Sequence, residues 1–112
     1  MNGPFPLNVL EINRRADDLR PGVYTVGSYE GGVFRVKCVG RFSANMSGTL
    51  YRWLGLHTHF QYKLLPSSRA AFAEECRLWH AYGGEEHLPD SAPHPQGPHG
   101  QQLECPVCGR LV

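Results

Sequence analysis

The sequence predicts a small α/β domain: a three-stranded antiparallel or mixed sheet flanked by helices, ending in a tail tied down by zinc. Three observations predict it. Two β-rich runs, Val23-Tyr-Thr-Val and Val33-Phe-Arg-Val-Lys-Cys-Val39, flank Gly31-Gly32, a pair suited to a tight hairpin turn. Residues 67–83, SSRAAFAEECRLWHAYG, carry a helix N-cap in Ser67 and a glycine stop in Gly83. Finally, residues 84–104 hold almost no apolar side chains, yet they end in Cys105-Pro-Val-Cys108-Gly109, a metal-binding turn.

Taken in order, residues 1–20 read as an irregular arm broken by Pro4 and Pro6. They carry a short apolar stretch (Leu7, Val9, Leu10, Ile12) and three arginines at 14, 15 and 20. Residues 21–83 form the core. The hairpin comes first, with Gly40 ending its second strand and a polar loop from Arg41 to Gly48. Leu50 to His57 is predicted as a short helix weakened by Gly55. Phe60-Gln-Tyr-Lys-Leu-Leu65 alternates as a third strand and stops at Pro66. On the following helix, Ala71, Phe72, Glu75, Leu78 and Trp79 share one arc at ~100° per residue, with Ala70, Glu74 and Arg77 opposite. Glu75 thus stands on the apolar face, where a carboxylate needs a partner. Residues 84–112 are the loop and zinc-binding tail.

The chain has 112 residues, enough for one core, and a formal net charge of +1. Near-neutrality excludes a global basic field, so any nucleic-acid surface is a local patch. No apolar run approaches the ~18 residues of a membrane span, and no basic segment leads into an apolar one at the N-terminus. The reading is therefore no membrane partner and a cytoplasmic protein, whose Cys105-Pro-Val-Cys108 binds metal instead of forming half of a disulfide framework.

A Cys-x-x-Cys turn offers two of zinc's four ligands. Cys76 and His80, one helical turn apart on the flank of the long helix, complete a Cys3His set with Cys105 and Cys108. His94, in His-Pro, is the substitute if His80 is not used. Structural Zn2+ there would pin the coreless tail to the helix. The plainer alternative is a buried Cys76 packing as a small apolar group and a surface His80.

Gly22-Val23-Tyr24, Cys38-Val39-Gly40, a helix ending at His57 and Glu75 on the next helix together resemble a GIY-YIG nuclease domain. The resemblance covers roughly residues 20–91, and the tail is similar to that of a small microbial branch with a zinc-binding end. It implies a nuclease acting on DNA, with Tyr24 beside the attacking water and Glu75 holding one Mg2+ or Mn2+. An arginine and a second tyrosine would assist at the phosphate. Three supporting positions depart from the family pattern. Cys38 replaces the second tyrosine, Trp53 stands at the family's arginine in Leu-x-x-Arg-Leu-x-x-His, and Ser91 stands at its late asparagine. Arg41 or Arg52 would supply the missing charge, giving a candidate catalytic set of Tyr24, Arg41, Arg52, His57 and Glu75 on a weakened active site. From the residues alone, Tyr24 reads equally as a core strand aromatic and Glu75 as a carboxylate bonded to a core tyrosine.

Two further readings keep the fold and drop the chemistry. One is an inactive binding module for DNA or RNA, using Arg35, Lys37, Arg41, Arg52 and Lys63 with Tyr51, Trp53 and Tyr62 as stacking groups. The other is a zinc-stabilised adaptor for a protein partner.

Overall fold

The computed structural model describes residues 1–91 and 93–112, His99 without its side chain. Four strands, β1 (Asn2–Pro6), β2 (Gly22–Glu30), β3 (Val33–Phe42) and β4 (His59–Leu64), form one sheet in the order β1-β4-β2-β3, every pair antiparallel. Three helices accompany it: α1 (Val9–Arg15), α2 (Met46–Tyr51) and α3 (Ser68–Ala81). The expected three-stranded antiparallel or mixed sheet is thus corrected to four antiparallel strands.

The fourth strand comes from the segment read as irregular. Pro4 and Pro6 lack the N–H that an inner strand must donate on both sides, but β1 lies at the sheet edge, where one side needs no partner. Asn8 then caps α1, its Oδ1 accepting from the Glu11 N–H at 2.8 Å, while Arg15 pairs back to Glu11 at 2.9 Å.

The hairpin turns as expected. Glu30 faces Val33 across Gly31 and Gly32, whose φ angles of +60° and +80° suit a primed turn open to residues without a Cβ. β3 runs past Gly40 to Phe42, placing Arg41 on a strand instead of in a loop. The helix expected over 50–57 lies earlier, at Met46–Tyr51. Arg52 caps it, and the chain turns through Gly55 at φ +79° towards His57. α3 matches its predicted span. Ser67 Oγ accepts from the Ala70 N–H at 3.0 Å, and Gly83 follows the C-cap at φ +93°.

Apolar side chains divide over the two faces of the sheet. Ile12, Met46 and Leu50 of α1 and α2 pack on Tyr24, Val26, Cys38, Phe42 and Phe60. On the other face, Trp79 packs with Val39 and Leu88, and Phe72 with Cys76 and Cys105. Leu88, at 1 % exposure, and Cys105 belong to the tail, so the tail contributes to burial more than its composition suggested. Residues 88–91 also cover the β3 edge: the Asp90 N–H donates to Lys37 O at 3.2 Å, and the Val39 N–H donates to Ser91 Oγ at 2.9 Å.

Candidate metal centre and adjoining cleft

The tail closes as a small hairpin. Leu103 and Val112 exchange two backbone hydrogen bonds of 3.0 Å, and the Cys105 N–H donates to Arg110 O at 2.8 Å. At its tip the Gly109 N–H donates to Cys105 O at 2.9 Å, with Gly109 at φ +77°. This turn aims both thiols at one point. Burial opposes ionisation of Cys105, but N–H groups of Cys108 and Val107, with the thiols of Cys108 and Cys76, bring its pKa down to about 6.

Around that point stand His80, His94, Cys105 and Cys108, all ligand atoms within 4.8 Å of one another. Nε2 of His80 lies 3.3 Å from Nε2 of His94 and 3.5 Å from Cys105 Sγ, and Nε2 of His94 lies 3.4 Å from Cys108 Sγ. These distances suit the edges of a coordination tetrahedron. Zinc's bond lengths, at tetrahedral angles, give about 3.3 Å between nitrogens and about 3.6 Å between nitrogen and sulfur. The tautomer of His94 is suited as well: its Nδ1–H donates to Pro95 O at 2.9 Å, leaving the Nε2 lone pair inward. Two imidazole nitrogens facing each other beside two thiols need a cation or a shared proton between them. The four residues fit a Cys2His2 metal site.

Cys76 is not one of the four. The expected Cys3His set is corrected to two cysteines and two histidines, with His94 joining His80 rather than replacing it. Cys76 is fully buried against Phe72 and Cys105, and burial, followed by its hydrogen bond to Cys105, pushes its thiol up to about 12. It therefore keeps its proton and donates to the Cys105 sulfur. The i, i+4 rule that suggested it is satisfied by geometry along the helix, yet it says nothing of depth. His94 lies in a segment without helical or strand periodicity, and its sequence signal is only the His-Pro step whose carbonyl orients the ring.

Beside this centre lies a cleft of about 190 Å³, walled by Arg41, Glu75, Trp79, His94 and Gln96. Arg41 Nη1 bonds Glu75 Oε1 at 2.9 Å, and its Nη2 donates to Gln96 O at 2.8 Å. Glu75 retains only 13 % side-chain exposure. Burial raises its pKa to about 7 despite the Arg41 charge. Residues 93–96 thus serve twice, carrying a metal ligand at His94 and a wall of the cleft at Gln96.

Tyr24 approaches from the other face, its ring lying over Gly40, where any Cβ would collide with it. Trp53 Nε1 donates to its hydroxyl at 3.2 Å. Burial, and then the neighbouring Cys38, push the phenol up to about 12, and the charges of Arg52 and Glu75 also reach it. Arg41 and Glu75 thus meet in the cleft, whereas Tyr24 packs on the opposite face of the sheet and neither it nor Arg52 lines the cleft. His57 stands apart, its ring 5.6 Å from that of Trp53 and its Nε2 2.6 Å from Asp90 Oδ2. Sequence reading gave Asp90 no role. Ser91, which stands at the family's asparagine, bridges the backbone of Val39.

The residues proposed as a stacking and basic surface are mostly engaged elsewhere. Trp53 and Tyr62 pack against the core, and Tyr51 donates to Asn13. Lys37 pairs with Glu30 at 3.2 Å and Lys63 with Glu74 at 2.9 Å. Among the described residues no helix is long and apolar enough to cross a membrane. No protein-family model, curated protein or solved structure matches the chain.

Proposed function

We propose that the chain is a GIY-YIG-like domain, stapled by zinc at His80, His94, Cys105 and Cys108, that hydrolyses phosphodiesters of DNA in the cleft beside β3 at a rate lowered by its altered supporting residues. The observation that carries the reading is the meeting of Arg41 and Glu75, 34 residues apart in the sequence, in one cleft. Resemblance by order alone did not require that meeting.

The cleft offers one carboxylate, which suits an ion that keeps most of its waters, as Mg2+ does. Glu75 would hold Mg2+ or Mn2+ there, and the cation would offset charge on the phosphate. Arg41 presents a guanidinium fork matched to two phosphate oxygens. Tyr24, buried over Gly40 and protonated at neutral pH, does not act as the base. Asp90 fixes the orientation of His57, the remaining group suited to moving a proton. A site of action in the cytoplasm accords with thiol ligands kept reduced.

A second reading is favoured by the closure of Arg41 onto Glu75 and Gln96. That pairing occupies both the phosphate clamp and the metal-binding carboxylate, as in a binding module that retains the fold without turnover. Incubating supercoiled and branched DNA with Mg2+ or Mn2+ separates the two. Cleavage by the wild type that is lost in Glu75→Ala supports the nuclease. Absence of cleavage with DNA binding intact refutes it in favour of the module.

A further inference from the structure

A second pocket of about 220 Å³, which shares Arg41 as a wall with the cleft, opens between α2 and the start of α3. We propose that it is a phosphate subsite, taking the phosphate that follows the one in the cleft along the same strand. It rests on the reading of the cleft as a phosphodiester site and extends it to a second nucleotide.

The donor set is what identifies the ligand. Arg41, Arg52, Ser43, Asn45, Thr49 and Ser68 line the pocket, and no carboxylate does. No acid lines the pocket, and of its two guanidinium groups Arg41 is paired with Glu75 in the cleft, so the charge left for an anion is that of Arg52. Arg52 forms no ion pair among the described residues, in contrast to Lys37 and Lys63, so its charge is free for a ligand. Asn45 Oδ1 already accepts from the Ser43 N–H at 3.3 Å, leaving the amide nitrogen as a donor. Thr49 is 2 % exposed and lines the pocket. A tetrahedral oxyanion suits such a ring of donors, and a carboxylate would leave part of it unsatisfied.

The shared wall sets the substrate. Arg41 Nη1 and Nη2 face Glu75 and Gln96 in the cleft, while the same side chain borders the pocket. An anion position in the cleft and another in the pocket, with Arg41 in the wall of both, suit successive phosphates of a single strand and exceed what an isolated phosphate can fill.

The test compares the thymidine dinucleotide TpT with its 5′-phosphorylated form by titration followed through the amide NMR signals of Ser43, Asn45, Thr49 and Ser68, with inorganic phosphate as a third probe. The phosphorylated form is expected to bind on the order of tenfold tighter than TpT. Arg52→Gln should erase that difference, while Arg77→Gln, an equal charge loss on the exposed side of α3, should preserve it. Thr49→Val provides the same test should Arg52→Gln fail to fold. Equal affinity for the two dinucleotides overturns the proposal, as does inorganic phosphate binding as tightly as the phosphorylated dinucleotide. Discrimination in a protein that cleaves no DNA supports the subsite while removing the nuclease reading. Cleavage without discrimination removes the subsite alone.

Discussion

Replacing Glu75 by glutamine isolates the contribution of a buried carboxylate. The carboxyl titrates at 4.5 ordinarily and at about 7 in the folded chain, because burial outweighs the attraction of Arg41. Below pH 4.5 it is protonated in folded and unfolded chains alike. Between 4.5 and 7 the folded chain keeps a proton that the unfolded chain has released, so stability falls as pH rises through this window and levels off above it. An interval of about 2.5 pH at about 1.36 kcal/mol per pH sets the full effect near 3 kcal/mol, an upper bound because the side chain is not wholly dry. Glu75→Gln removes this dependence and leaves the shape intact. The attraction of Arg41 for the charged carboxylate is already contained in the folded value of about 7. Urea unfolding of both zinc-loaded proteins at pH 5, 6, 7 and 8 reads the difference, and acid loss of zinc is common to both and subtracts out. The variant should gain on the wild type by up to about 3 kcal/mol from pH 5 to pH 8. Parallel stability curves would refute the account of Glu75 as a desolvated carboxylate. Mg2+ or Mn2+ should flatten the wild-type dependence if either binds there.

Three further outcomes follow from the same geometry. Chelation of the metal should raise amide exchange from Gly84 onward and release Arg41 from Gln96, while the β2–β4 pairing stays protected; uniform protection across the tail would contradict the staple. Gly40→Ala forces a Cβ into the Tyr24 ring and should cost about 1–3 kcal/mol by thermal unfolding, whereas Gly31→Asn, at an open turn with φ +60°, should cost little. Ser67→Ala should lower stability by about 1 kcal/mol through loss of the α3 cap, and Ser67→Asp should restore it.

Local signals were most legible where one residue type settles one backbone state. Ser67 and Gly83 bounded α3, and Gly31-Gly32 fixed the hairpin, because capping and positive φ are local requirements. β1 was not legible, since a proline excludes an inner strand but not an edge, and edge position is a property of the whole sheet. α1 had a signal in Asn8 followed three residues later by Glu11, hidden behind the prolines. In the metal centre, Cys105 and Cys108 followed from spacing, whereas the choice of His94 over Cys76 depends on depth. Cys76 is buried beneath the site, and His94 is brought in by a loop whose path no periodicity announces. In the cleft, Glu75 was found because a carboxylate on an apolar face requires a partner. That its partner is Arg41 follows from β3 continuing past Gly40.

Substituting Co2+ for the native metal and recording X-ray absorption together with the thiolate charge-transfer band tests the central assembly most directly. Two sulfur and two nitrogen scatterers, with the spectrum unchanged in Cys76→Ser and lost in Cys108→Ser, are the predicted result. Three sulfur scatterers, or a spectrum that depends on Cys76 and survives His94→Ala, would contradict the metal centre and with it the link from the tail to the Arg41–Glu75 cleft.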